Sequence, residues 1–281
     1  FQQYSLYPHY TVRQNLEFPL KSKIRNLSSE EIDKRVSFVA ETLRITKLLE
    51  RKTDKLSGGE MQRVSIGRAI VRQPKAFLMD EPLSSLDAKL REKLRQELKR
   101  LQKDLNATLL YVTHDQVEAM SMADRIGIIQ EGTLIQNDTP YEIYNHPKNT
   151  FVASFVGSPK INFFNAVIER DNLIMKGTNM QFALQDSVLK KLNKTSGEIT
   201  VGIRPEDIFI YREKAPVSHK TKVFLVEHMG MENLVNFYVN DHHFKATIDS
   251  SFEVAMDDKV YFSFEQRKLH FFDGETGENL L

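Results

Sequence analysis

The chain has 281 residues, a net charge of +1 at pH 7 and no cysteine. That length favours two domains, each with enough chain for a core. The near-zero charge supplies no basic field for nucleic acid, and the missing cysteines exclude disulfides and thiolate metal sites, as suits a reducing cytosol. No run approaches the roughly 20 apolar residues of a membrane-spanning helix. Phe1-Gln2-Gln3-Tyr4 has neither the charged start nor the apolar core of a secretory signal. Any membrane association is therefore expected to run through a partner.

In chain order, the aromatic-rich stretch Phe1–Val12 fits ordinary core packing when taken alone. Residues from about 13 to 55 are expected to be helical. Ser28-Ser29-Glu30-Glu31 is a capping-box pattern running from Ser28 to Glu31. Ile32, Val36, Val39 and Leu43 then follow at helical spacing and predict one buried stripe. Leu56-Ser57-Gly58-Gly59-Glu60-Met61-Gln62-Arg63 predicts a helix N-terminus capped by Ser57, its glycines leaving backbone N–H groups bare for an anion. A plain capped helix explains that stretch equally well.

Ala76-Phe77-Leu78-Met79 is an apolar run ending in Asp80-Glu81-Pro82, the pattern of a buried parallel strand that delivers charge at its C-terminal edge. Neighbouring side chains on a strand face opposite ways, so Glu81 is expected where the strand breaks, just before Pro82. Ser84-Ser85-Leu86-Asp87 is positioned to cap a helix carrying Leu90, Leu94, Leu98, Leu101 and Leu105 on one stripe. A second apolar run, Leu109–Val112, closes on Thr113-His114-Asp115, which places His114 at the same sheet edge as Asp80 and Glu81. Ala123–Gly132 is expected to be a strand and tight turn that finish the sheet. Gly and Pro then punctuate a junction through Asn145-His146-Pro147, Phe151–Pro159 and Asn162. Beyond Ile161 the helical stripe disappears, and short alternating segments such as Asn233–Val239 and Lys259–Phe264 suggest a small barrel. Arg204 and Glu206, flanking Pro205, read as a structural ion pair beside a turn.

In this order and spacing the motifs resemble the ATPase subunit of ATP-binding-cassette (ABC) importers, over essentially the whole chain. The resemblance implies an α/β fold: a P-loop-type ABC ATPase domain at 1–157, with a helical subdomain at about 13–55, followed by an all-β OB-like regulatory and dimerisation barrel at 158–281. It implies Mg²⁺ and ATP as cofactors. By resemblance Gln2 is the glutamine that helps hold magnesium and the attacking water. Ser57, Gly58, Gly59, Glu60 and Gln62 belong to the signature that closes on the γ-phosphate held by the opposite subunit. Asp80 is the carboxylate that holds Mg²⁺ through its water shell, and Glu81 is the general base for the water that attacks the γ-phosphorus. Asp87 belongs to the loop that crosses the dimer interface, and His114 is the switch histidine at the γ-phosphate.

The family's phosphate-binding loop needs Gly-Lys followed by Ser or Thr, and none of the 12 glycines precedes a lysine. The chain also opens without methionine, already inside a motif. The expectation is a sequence truncated before the glutamine loop and inactive alone. The junction, Gly202–Asp207 and Leu269–Asp273 narrow the resemblance to carbohydrate-uptake importers of the maltose, glycerol-3-phosphate and multiple-sugar type. Polyamine and metal-ion importers share the first half and remain an alternative. So do a soluble ABC ATPase acting on nucleic acid or ribosomes and a non-catalytic relative that kept the dimer and barrel. The partners implied are transmembrane permease subunits, a second copy in a head-to-tail dimer and, indirectly, an extracytoplasmic solute-binding protein, with no nucleic acid. The implied location is the cytoplasmic face of the cell membrane, as a peripheral protein.

Overall fold

The computed structural model describes residues 5–281 except 23, 85–86, 105–106, 170–171, 185 and 193–197. Packing divides the chain into two compact units, Phe1–Met122 and Ala123–Leu281. Packing thus groups residues 123–157 with the barrel, while the sequence motifs group them with what precedes. Among the described residues no helix is long and apolar enough to cross a membrane.

The first unit starts with helix α1 (Val12–Glu17), where Thr11 and Gln14 cap one another reciprocally. Helix α2 (Ser29–Thr42) is capped by the Ser28 side chain, which accepts from the Glu31 N–H. Only that half of the predicted box forms, because the Glu31 carboxylate pairs instead with Arg35, one turn on, at 3.2 Å. Ile32, Val36, Val39 and Leu43 are buried as the stripe predicts. Short 3₁₀ turns at Thr46–Leu48 and Thr53–Lys55 lead into α3 (Gly58–Ile70). This helix comes close to its neighbours at Gly67, where a Cβ would lie 2.9 Å from Leu16 Cδ2 and 3.1 Å from Leu43 Cδ1. Glycine is needed there for close approach, since nothing larger fits without displacing those side chains.

Strands β1 (Ala76–Asp80) and β2 (Thr108–Val112) pair in parallel, with Ala76 opposite Thr108 and Asp80 opposite Val112. The helix α4 (Ala88–Asp104) connects them, and α5 (Gln116–Met122) follows β2. Leu94 and Leu98 of the predicted stripe are buried; Leu105 lies outside the described residues. The strand is not buried on both faces as expected. Phe77 and Met79 join the core with Leu109 and Tyr111, but Leu78 is 75% and Leu110 61% exposed on the other face. The alternation of period two accounts for this split.

In the second unit, β3 (Ile126–Gln130) and β4 (Thr133–Asp138) form an antiparallel hairpin of their own rather than finishing the β1–β2 sheet. Its turn residues Glu131 and Gly132 both have positive φ (49° and 78°), the conformation that matches the twist of a two-residue hairpin loop. Helices α6 (Pro140–Asn145) and α7 (Thr150–Phe155) come next. The strands that follow are β5 (Asn162–Glu169), β6 (Asn172–Met175), β7 (Gln181–Ala183), then, after the helix α8 (Asp186–Leu192), β8 (Ile199–Ile203) and β9 (Ile208–Tyr211). The last five are β10 (His219–His228), β11 (Glu232–Val239), β12 (His242–Asp249), β13 (Lys259–Phe264) and β14 (His270–Asp273). They form two five-stranded antiparallel sheets, ordered β12-β11-β10-β13-β9 and β14-β8-β5-β6-β7. Phe164 and Val201 from one sheet share a single core with Phe237, Phe244 and Phe262 from the other. Two sheets closing on one core is the small barrel expected from the sequence, and burial of each such ring contributes on the order of 2–3 kcal/mol.

Arg204 does not pair with Glu206. The residue is 2% exposed. Its guanidinium donates to the Val156 carbonyl at 2.8 Å and to the Tyr144 carbonyl at 2.6 Å, and it stacks over the Tyr144 ring at 3.5 Å. Glu206 instead accepts from the Tyr144 hydroxyl. The buried arginine thus fastens the α6–α7 segment to the end of β8.

Candidate functional site

The site grows from the ends of β1 and β2. Asp80 is the last residue of β1 and is exposed. The Glu81 N–H still donates to the Val112 carbonyl, at 2.9 Å, so parallel pairing runs one residue past the strand. There the backbone turns into the left-handed region, with Glu81 at φ 43°. This conformation is rare for a residue with a side chain and costs about 1–2 kcal/mol. It also resolves the adjacency problem, because the turn frees the Glu81 carboxylate from the strict alternation that Asp80 obeys. Ser84 holds the turn, its N–H and hydroxyl both donating to the Glu81 carbonyl, at 3.3 and 3.0 Å.

Two residues past β2, His114 Nδ1 lies 2.8 Å from Glu81 Oε1. His114 is exposed and projects into solvent, with 71% of its side chain accessible. Its hydrogen bond and charge interaction with the Glu81 carboxylate raise its pKa above the ordinary histidine value. The residues on either side of it are fixed. The Thr113 hydroxyl donates to Glu118 Oε2 at 2.7 Å, and the Tyr111 hydroxyl donates to the same oxygen at 2.9 Å. Asp115 Oδ1 caps α5 by accepting from the Val117 and Glu118 N–H groups at 2.8 and 3.2 Å. Glu118 is 3% exposed, and with that carboxylate beside it burial pushes the Tyr111 phenol far up. The sequence reading passed over Tyr111 and Glu118. The Asp115-x-x-Glu118 spacing at a helix start was the available signal.

The Ser57 segment sits on a different element, the N-terminus of α3. Ser57 caps the helix and forms a full capping box with Glu60. The Ser57 N–H and hydroxyl donate to Glu60 Oε2 at 2.8 and 2.9 Å. Those two bonds, led by the backbone one, hold the Glu60 carboxyl below the usual carboxylate range. Gly58 is half-buried, while Gly59 and Gln62 are buried within the unit. A phosphate that took the Ser57 hydroxyl would have to replace Glu60 as its acceptor, one anion for another at a helix N-terminus. Asp87 is exposed immediately before α4. Gln2 lies outside the described residues, as do Ser85 and Leu86. Among the described residues no group of three or more His, Asp or Glu could hold a metal ion. The lone Asp80 carboxylate matches the weaker demand of magnesium, which keeps most of its waters and takes one or two protein oxygens.

Comparison with known proteins decides the family. Residues 1–84 match the ABC transporter family model, and residues 157–208 match the MalK OB fold domain. The trehalose/maltose import ATP-binding protein MalK of Thermococcus litoralis is 46% identical over 285 residues, covering 99% of this chain and 76% of that protein. The chain belongs to the ABC-transporter ATP-binding proteins. This ABC protein is also 44% identical to the xylose/arabinose import ATP-binding protein XacK of Haloferax volcanii, over 100% of this chain and 73% of the relative. It is 42% identical to the oligosaccharides import ATP-binding protein MsmX of Bacillus subtilis, over 98% of this chain and 76% of the relative. The ABC protein therefore combines an ATP-binding ATPase part with a MalK-type OB fold, the fold class expected from the sequence.

Proposed function

We propose that the protein hydrolyses ATP to power the import of sugars or sugar-like solutes. The observation that carries this reading is the 2.8 Å Glu81–His114 contact at the ends of two adjacent parallel strands, in a chain whose relatives are named for trehalose/maltose, xylose/arabinose and oligosaccharide import. Glu81 acts as the general base. It polarises a water that attacks the γ-phosphorus while the bond to the bridging oxygen breaks and ADP departs. His114, held on Glu81, orients toward the transferred phosphoryl group. Asp80 and Gln2 would hold Mg²⁺, which supplies neutralisation of phosphate charge when bound. The chemistry is positioning and charge stabilisation, without a covalent intermediate.

In this reading a second copy of the chain joins head to tail. Its Ser57, Gly58, Gly59, Glu60 and Gln62 close on the γ-phosphate, and its Asp87 loop crosses the interface. Residues 1–157 form the ATPase part, and residues 158–281 form the regulatory barrel. Permease subunits hold the protein at the cytoplasmic face of the membrane, and a solute-binding protein delivers sugar to them from the other side. The test is ATP turnover by the protein assembled with its permease in membranes. In the complete protein, Glu81→Gln is expected to lower turnover by roughly 10²–10⁴ with ATP binding retained. Turnover near wild type would remove Glu81 as the base.

A further inference from the structure

We propose that Arg91 is a positioning residue for the Glu81–His114 pair, bridging the turn that follows Glu81 to the carboxylate that follows His114. The proposal rests on the reading of that pair as the hydrolytic centre. Arg91 stands near the start of α4, and its guanidinium reaches two loops at once. Nη1 lies 3.3 Å from Asp115 Oδ2, and Nη2 donates to the Ser84 carbonyl at 3.4 Å. Ser84 in turn donates to the Glu81 carbonyl through its N–H and its hydroxyl. Asp115 is bonded directly to His114 in the chain, and its N–H is tied to the Thr113 hydroxyl at 3.0 Å. The contacts close into a ring: Glu81 side chain, His114, Asp115, Arg91, Ser84 and back to the Glu81 carbonyl.

Each Arg91 contact is at the long end for a hydrogen bond, so single-bond strength is not the point. A planar guanidinium presents donors in a fixed fork and can span two acceptors on two separate loops. A lysine carries the same charge on a single nitrogen and lacks that fork. Asp115 is already fixed by capping α5, so Arg91 ties the Ser84 turn to a rigid post. That turn leads into the segment expected to meet a second copy, so Arg91 is placed to pass a displacement there to the residues around His114.

Electrostatics and positioning predict opposite outcomes, which makes the role testable. The carboxylates facing His114 are Glu81, Asp115 and Glu118, and all three favour its protonated form. Removing the Arg91 cation leaves Asp115 less neutralised, so charge alone would move the His114 titration up. Loosening the Glu81–His114 hydrogen bond moves it down, toward the ordinary value of about 6.5.

The experiment is a ¹⁵N-imidazole NMR titration of the full chain. It compares wild type with Arg91→Ala, Arg91→Lys and Glu81→Gln, and uses Arg100→Ala, at an exposed pair on the same helix, as the control. The expected result is a fall toward about 6.5 in Glu81→Gln, a fall in Arg91→Ala, a smaller fall in Arg91→Lys, and no change in Arg100→Ala. The lysine variant keeps the charge and serves if the alanine variant fails to fold. A rise or no change in both Arg91 variants, with Glu81→Gln still falling, overturns the positioning role and leaves the pair intact. A fall with alanine that lysine fully reverses would mean that a single nitrogen holds the pair as well as the fork does, and overturns the two-loop bridge. No response to Glu81→Gln removes the pair itself, and with it the reading on which the proposal rests.

Discussion

At the scale of the single residue, Glu81 shows how local strain is used. Its φ of 43° places an L-residue in the left-handed region, and the bonds from Ser84 and to Val112 hold it there. The consequence is separable from chemistry. Alanine at position 81 would keep the strain and lose the carboxylate, whereas glycine would lose both. Relief of about 1–2 kcal/mol is offset by the greater chain entropy of glycine, about 0.5–1 kcal/mol. Glu81→Gly is therefore expected to be roughly 0.5–1 kcal/mol more stable than Glu81→Ala, with both lacking turnover. Urea unfolding of the two variants measures the difference, and a glycine variant no more stable than the alanine one would place the strain elsewhere. The sequence located Glu81 because an apolar run stops at it and a proline follows. Glu118 was legible only as part of the Asp115-x-x-Glu118 helix start, and Tyr111 not at all, because both matter through hydrogen bonds behind His114 rather than through any charge presented to solvent.

At the scale of elements, legibility depends on how far apart in the chain the partners lie. The α2 stripe, the α3 cap and the β1–β2 strands are written in spacings of two to four residues, and all of them form. Arg204 is different. Its acceptors, Val156 and Tyr144, are 48 and 60 residues away, and no local pattern announces them. A surface ion pair with the nearby Glu206 was the simplest local inference, and the fold replaces it with a buried clamp. Burial lowers the Arg204 pKa, while the Tyr144 side chain and the nearby charges of Glu206 and Asp207 favour the cation, and two carbonyls rather than a paired carboxylate take its hydrogen bonds. The expected cost of Arg204→Lys is about 2–3 kcal/mol, because one nitrogen cannot replace the fork and leaves a carbonyl unsatisfied. Hydrogen exchange should show protection lost first around 144–156, with the central strands of the barrel retained. Unchanged protection in that segment would mean that α6 and α7 are held by other contacts.

At the scale of the whole molecule, the two units respond to acid through different histidines. In the first unit His114 is exposed and favoured as a cation by Glu81, so its contribution to stability is present at low pH and fades as pH rises through its folded pKa. In the barrel unit the sign reverses. Burial, with Arg204, His146 and Lys268 nearby, pushes the β14 residue His270 down to about 4, and burial also lowers His219 and His243. An unfolded chain binds a proton at His270 below about 6.5, whereas the folded barrel refuses it until about 4. Between those values the unfolded state holds more protons, so stability rises with pH across that window. The barrel is thus expected to be at full strength above pH ~6.5 and to lose about 3 kcal/mol through His270 by pH ~4. His219 and His243 add to the loss in the same direction. Replacement by phenylalanine keeps a ring against Phe272, on which His270 stacks, and removes the titration. Urea unfolding of the barrel, read strand by strand by NMR at pH 7, 5.5 and 4.5, should show a steep acid dependence in wild type and a shallower one in His270→Phe. An equal slope in both proteins would mean that other groups carry the acid sensitivity and that His270 protonates without opening the fold.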